Sequence, residues 1–340
     1  MSTNQVLETQ PPAKLNLFLE LLGKRDDGYH EIDTLMVPIN WCDRLVLQRT
    51  KSPSIRFKVL QPDFDGVPTQ SVTPLPPEPT AANNQRKVEK VPANEGNLVH
   101  QALQAFRRHF KISDGFDCLL EKKIPAGAGM GGASSDAASA LLLASQLHDL
   151  PIRSTVLHQL AAKLGSDVPF FLGSPNTIQP INSSQNCQQK TCFAMRATGR
   201  GEKLEVVDCP KKLHFVVIFP GIGLSTPAVF SCCKVPEQPR EIAPFLDALE
   251  RGDLETASRF MANRLTEPAK KLAPGITTTL ESLKSVGLQH SQLTGSGSAC
   301  FGIAESEAVA KDCSERLKQI TGAGCTIQTA QSVEVPVLAN

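Results

Sequence analysis

Period-two alternation is the first signal in this chain. Residues 13–21, AKLNLFLEL, set Leu15, Leu17, Leu19 and Leu21 at every second position, with Lys14, Asn16, Phe18 and Glu20 between them. That pattern predicts a strand with one leucine face. RDDGYH reads as a turn, and RLVLQRT and SIRFKVL as further strands, so the chain opens as a β-rich meander. NLVHQALQAFRRHF changes period: Leu98, Ala102, Leu103 and Phe106 share one helical face. FDCLLEKKI predicts a strand, followed by a glycine-rich loop and a helix over about 135–148. TVLHQLAAKLG predicts another helix, stopped by Gly165, and SDVPFFLG a passage from loop into a short strand.

The second half mixes both periods. LHFVVIFP and CTIQTAQSV read as strands; EIAPFLDALERGD, ITTTLESLKSVG and AVAKDCSERLKQI read as amphipathic helices; QLTGSGSACFGIAE reads as a second glycine turn entering a strand. The expectation is an α+β layered architecture. Two stretches, 61–94 and 174–191, are polar, poor in apolar residues and read as insertions.

Bulk properties narrow the class. A chain of 340 residues is too long for one small core and points to two domains or one with large insertions. A formal net charge of +1 gives no sign of nucleic-acid or membrane-surface binding. No apolar run is long enough for a bilayer span, and the first residues lack the apolar stretch of a signal peptide, so a cytoplasmic protein is expected. The ten cysteines show no CxxC spacing and read as small apolar residues, with Cys187 and Cys192 in a polar segment as exposed thiols.

The chemistry concentrates in KKIPAGAGMGGASSDAASALLLASQL, residues 122–147. Gly127, Gly129, Gly131 and Gly132 leave backbone N–H groups unobstructed, and a helix starting directly afterwards adds the positive end of its dipole. The physical reading is a polyphosphate cradle. GxGxxG also fits a dinucleotide site, but the preceding strand ends in charges and a proline. A Walker loop would need a lysine at its end that is missing here. A plain Gly/Ala turn before a serine N-cap is the bland alternative.

Three blocks stand in order: PAKLNLFLELLGKRDDGYHEIDTLM, IPAGAGMGGASSDAA and LTGSGSACFGIA. Together they resemble the three motifs of the galactokinase, homoserine kinase, mevalonate kinase and phosphomevalonate kinase (GHMP) superfamily. PAKLNLFL, DGYHEI, GSDVPFFL and STPAVF resemble more narrowly the 4-diphosphocytidyl-2-C-methyl-D-erythritol kinase family. The resemblance covers about 10–60, 95–174 and 195–335. It implies a two-domain GHMP kinase fold, with a left-handed βαβ unit in an N-terminal ATP-binding domain over 10–174. A polar linker over 175–194 and a C-terminal α/β sandwich over 195–335 would follow.

The resemblance also implies roles. ATP and Mg²⁺ would be used, and 4-diphosphocytidyl-2-C-methyl-D-erythritol would be phosphorylated on its 2-hydroxyl. Pro125, Ala126, Gly127, Ala128, Gly129, Met130, Gly131, Gly132, Ala133, Ser134 and Ser135 would wrap the ATP phosphates, with Ser134 or Ser135 reaching Mg²⁺. Ala128 and Ala133 stand where relatives often carry glycine. Asp167 would be the catalytic carboxylate and Lys14 its partner, on the same strand face as Asn16. Tyr29 and Phe230 would sandwich the cytosine, His30 would read its edge, and Thr226 would add a polar contact. Thr294, Gly295 and Gly297 would shape the site beside the phosphate loop. Asn97 and Lys123 would approach the adenine. Another superfamily kinase, acting on homoserine or mevalonate, is the nearest rival; a dinucleotide-dependent oxidoreductase is a more distant one.

Overall fold

The computed structural model describes residues 5–61, 86–87, 91–151, 154–173, 193–209, 211–322 and 324–334. Most of the two polar insertions, with Cys187 and Cys192, lies outside the described residues. In chain order, β1 (Val6–Thr9) precedes two long strands, β2 (Pro12–Lys24) and β3 (His30–Cys42), then β4 (Arg44–Thr50), β5 (Ile55–Leu60) and β6 (Arg86–Lys87). α1 (Leu98–Phe110), β7 (Gly115–Glu121), α2 (Gly132–Leu147), α3 (Thr155–Leu164) and α4 (Val168–Leu172) follow. Next come β8 (Phe193–Gly199), β9 (Lys203–Asp208), β10 (His214–Phe219), β11 (Ile222–Gly223), α5 (Thr226–Ser231), α6 (Ala243–Glu250), α7 (Leu254–Phe260) and β12 (Ala262–Asn263). α8 (Thr266–Leu272), α9 (Gly275–Ser285), β13 (Ser291–Leu293), β14 (Cys300–Ala304), α10 (Glu307–Ile320) and β15 (Thr326–Gln331) complete the chain.

Three sheets carry the layers, in strand orders β1-β4-β7-β5, β12-β2-β3-β8-β9 and β13-β14-β10-β15. The first backs onto the helices α1 to α4 through a core that includes Leu45, Leu47, Phe106, Phe116, Leu141 and Phe170. Its β5 and β7 run parallel, with α1 between them in sequence, the βαβ unit. β10 is buried on both faces: Phe215, Val217 and Phe219 pack against β2 and β3, whereas Val216 and Ile218 pack toward α9 and α10. The hairpin β8–β9 pairs with β3, so the expected start of a second domain at 195 falls inside a strand of the middle sheet.

Two local expectations are corrected. The four leucines of β2 do not share a face. The register slips between Asn16 and Phe18, so Leu15 and Leu17 enter one core while Leu19 and Leu21 enter another, and the strand from Pro12 to Leu21 is buried on both faces. A bulge moves every later side chain to the opposite face. SDVPFFLG forms the short helix α4 instead of a strand. Pro169 sits in its first turn, where no N–H is needed, and Val168, Phe170 and Phe171 are buried against the helical layer.

A buried charge cluster fastens the entrance of the glycine loop. Asp43, between β3 and β4, accepts hydrogen bonds from the backbone N–H groups of Lys123 and Ile124 and from the Lys122 ammonium. Lys122 also donates to Asp136 of α2 at 2.7 Å. Two acids thus share one ammonium in the interior. Asp136 keeps a buried Oδ1 with no partner, so it is the acid that holds a proton most readily. Burial, reinforced by Asp43 and opposed by Lys122, pushes its carboxyl up to about 7 from 3.8. Between those values the folded protein keeps a proton that the unfolded chain has released. The cluster's contribution is therefore full at acid pH and declines as pH rises toward 7. The expected outcome is that wild-type Tm, measured against Asp136→Asn by calorimetry, falls relative to the variant between about pH 4 and pH 7. Parallel curves would contradict this account of the cluster.

Candidate active site

The glycine loop is held by its own carbonyls. Gly127, Ala128 and Met130 accept hydrogen bonds from the backbone N–H groups of Leu224 (3.1 Å), Ala299 (3.1 Å) and Lys14 (2.9 Å). Three distant segments thus clamp one short loop. Gly127, Gly129 and Gly131 adopt φ of +67°, +75° and +70°, values that side chains rarely tolerate. Space adds a second reason at Gly129, where a Cβ would lie 2.3 Å from the Thr294 carbonyl oxygen. Ala128, by contrast, is not among the positive-φ residues, which is why a methyl is accommodated there.

The loop delivers the start of α2 with its amides unobstructed. The N-cap is Gly131 and no side chain caps the helix, so the N–H groups of its first turn have no intrahelical partner. The helix starts at Gly132, earlier than the spacing suggested, and neither serine is the cap. Ser134 lines the cleft; Ser135 is fully buried, does not line it, and its Oγ has no partner.

Lys14 and Asp167 meet beside this helix terminus. Lys14 Nζ stands 3.6 Å from Asp167 Oδ2, with the lysine side chain 4% and the aspartate 34% exposed. Burial draws the Lys14 ammonium below its usual range, and Asp167 opposes that shift. Asp167 occupies the N-cap position of α4 but makes no capping hydrogen bond. Its carboxylate is accordingly not spent on the helix. Lys14 also donates to Asn16 Oδ1, and Asn16 Nδ2 donates to Thr34 Oγ1 at 2.8 Å. The Asn16 backbone N–H donates to Thr294 Oγ1 at 3.1 Å, joining β2 to the second glycine turn. At Gly295 a Cβ would lie 2.6 Å from the Gly129 carbonyl oxygen and 3.1 Å from Lys14 Nζ, so only hydrogen fits.

The DGYH turn and α5 form the far end of the cleft. His30 and Phe230 pair at 5.4 Å between ring centroids, and Tyr29 is 55% exposed. Burial, with Lys24 nearby, keeps His30 below its ordinary range. A neutral ring offers one donor and one acceptor. Thr226 shares a 2.8 Å hydrogen bond with Ser296, tying α5 to the second glycine turn.

One cavity of about 1020 Å³ connects these groups, at the upper end of the usual range for small-molecule sites. Lys14, Asn16, Tyr29, His30, Thr226, Phe230, Gly295, Asp167 and the loop from Pro125 to Ser134 all line it. Asn97 lines it too, but its side chain caps α1 by accepting from Val99 N–H and donates to the Pro92 carbonyl, which leaves little for a ligand. Lys123 does not line it; its neighbour Lys122 does. Just past the end of β7, Lys122 turns inward to Asp43 and Asp136 while Lys123 is exposed, and the inward one was not singled out from sequence. Asp43, Asp136 and Arg200 were likewise missed, although the GRG turn around Arg200 was a readable signal. Among the described residues no group of three or more His, Cys, Asp or Glu side chains could hold a metal ion, and no helix is long and apolar enough to cross a membrane.

Comparisons with known proteins agree with this geometry. Residues 97–174 match the GHMP kinases N terminal domain and residues 245–323 the GHMP kinases C terminal domain. The chain is 40% identical to a 4-diphosphocytidyl-2-C-methyl-D-erythritol kinase of Rhodopirellula baltica, covering 99% of this chain and 98% of that protein. It is 34% identical to one from a Polaromonas species, covering 88% and 83%. A crystal structure of 4-(cytidine 5'-diphospho)-2C-methyl-D-erythritol kinase superposes with a TM-score of 0.69 at 29% identity, over 96% of this chain and all (100%) of that one. A homoserine kinase from Cytophaga hutchinsonii, at 16% identity and a TM-score of 0.66, shares the fold alone. The loop clamped at three points, the lysine and aspartate beside it and near-complete coverage at 40% identity lead to one conclusion: the chain belongs to the 4-diphosphocytidyl-2-C-methyl-D-erythritol kinase family of GHMP kinases.

Proposed function

We propose that this chain transfers the γ-phosphoryl group of ATP to the 2-hydroxyl of 4-diphosphocytidyl-2-C-methyl-D-erythritol, a step in non-mevalonate isoprenoid biosynthesis. The observation that carries the reading is the 3.6 Å Lys14–Asp167 pair beside the uncapped first turn of α2. The phosphates of ATP lie along the glycine loop, where first-turn N–H groups and the helix dipole stabilise negative charge. The acceptor hydroxyl lies against Asp167. As the hydroxyl oxygen bonds to the γ-phosphorus, the bond from that phosphorus to the bridging β,γ-oxygen breaks and ADP leaves. Asp167 accepts the hydroxyl proton and later releases it to water. Lys14, held by Asn16, stabilises the charge on the transferred group.

Mg²⁺ fits the site only as a partner of the nucleotide, since the described residues form no metal cage and this ion is commonly held by few protein oxygens plus phosphates. Ser134, which lines the cleft, would hold it, and the ion would neutralise phosphate charge. At the other end, the exposed ring of Tyr29 and Phe230 provide apolar faces for the cytosine, and neutral His30 can both donate to and accept from its edge. A homoserine or mevalonate acceptor would leave these rings unused.

A substrate screen tests the reading. ATP should be consumed with the cytidine-bearing diphosphate and not with homoserine or mevalonate; turnover of either small alcohol in its place would overturn the assignment. Asp167→Asn should lower kcat by about 10²- to 10⁴-fold with little change in KM for either substrate, measured by steady-state ADP release. An unchanged kcat would remove Asp167 from the mechanism.

A further inference from the structure

The proposed acceptor carries a diphosphate between its base and its reacting hydroxyl, and nothing described so far meets that charge. Among the described residues, Lys14, Lys24, Lys122 and Arg200 are the basic side chains lining the cleft. Lys14 is committed to Asp167 and Asn16. Lys122 is locked between Asp43 and Asp136. Lys24 sits exposed at the end of β2, paired in register with His30 at the base end.

Arg200 differs from these three. It stands in the turn between β8 and β9, with its guanidinium carbon 5.1 Å from the centroid of the Tyr29 ring. Among the described residues it has one ion pair, to Glu202, and that is stretched to 4.0 Å. The backbone of the same turn abuts the catalytic turn: a Cβ on Gly201 would lie 3.7 Å from the Ser166 carbonyl oxygen, one residue before Asp167. The turn therefore touches both the ring proposed to stack on the base and the segment that presents the acceptor carboxylate. A guanidinium offers paired N–H donors that match two phosphate oxygens at once, and stacking on an aromatic face holds its plane in place.

We propose that Arg200 binds the diphosphate of the nucleotide acceptor and so fixes the span between base and reacting hydroxyl. The proposal rests on the acceptor reading given above. Arg200 is a binding residue for the acceptor, independent of the ATP phosphates, which lie along the glycine loop.

The test measures calorimetric binding of cytidine, CMP and CDP to the full chain, with a non-hydrolysable ATP analogue saturating the phosphate loop. Wild-type protein should bind CDP at least about 10-fold more tightly than cytidine, the effect of charge-assisted hydrogen bonds. Arg200→Gln should keep cytidine affinity and lose most of that gain; Arg200→Lys should keep part of it. Two results overturn the assignment while leaving the acceptor reading intact: an Arg200→Gln protein that binds CDP as wild type does, or one that loses cytidine and CDP equally, which would confine Arg200 to bracing Tyr29. A gain abolished by Lys24→Ala and not by Arg200→Gln also overturns it. Failure of the wild type to bind cytidine at all would overturn the acceptor reading, and this assignment with it.

Discussion

An ammonium buried near the start of a strand needs an anion, and the fold of this chain is arranged to provide one. Lys14 is 3% exposed in β2, and the carboxylate that faces it comes from the start of α4, far along the sequence. Burial alone would drive the lysine toward its neutral form. Asp167 and Asn16 counter that, and their own placement depends on the packing around them. Val168, Phe170 and Phe171 anchor α4 in the helical core, and Thr34 and Thr294 hold Asn16. The pair is therefore a product of the whole fold.

The glycine loop obeys the same logic from the backbone side. Its carbonyls are satisfied by Leu224, Ala299 and Lys14, which fixes the loop without using side chains. The first-turn amides of α2 remain free because Gly131, which has no side chain to offer, is the cap. Behind the loop, Asp43 holds the N–H groups of Lys123 and Ile124, and Lys122 bridges Asp43 to Asp136. A loop rich in glycine is costly to order, and these fixed attachments at both ends offset that cost before any nucleotide arrives.

Much of this was legible in the sequence, for identifiable reasons. Glycines at 127, 129 and 131 mark positive φ, a local demand that only a local residue type can meet. The amphipathic helices α1, α6, α9 and α10 follow their periodicity. The bulge that splits the leucines of β2 was invisible, since alternation continues unbroken in sequence while the register slips in space. The α4 segment misled for a similar reason: a run of Val and Phe reads as strand, and its helical state is set by what buries it. Family resemblance supplied Lys14 and Asp167 as a pair, but the Asp43–Lys122–Asp136 cluster joins charges from three elements and has no one-dimensional signature. Directly after β7, Lys122 is buried and lines the cleft while Lys123 is exposed, a difference that two identical adjacent residues do not reveal in sequence.

The central claim is that Lys14 and Asp167 act as one unit at the γ-phosphate. A double-mutant cycle on single-turnover phosphoryl transfer, with Lys14→Gln, Asp167→Asn and the combined variant, tests it most directly. The account predicts strong non-additivity, with the double variant scarcely slower than the slower single one. Losses that simply multiply would show two independent residues and contradict the account.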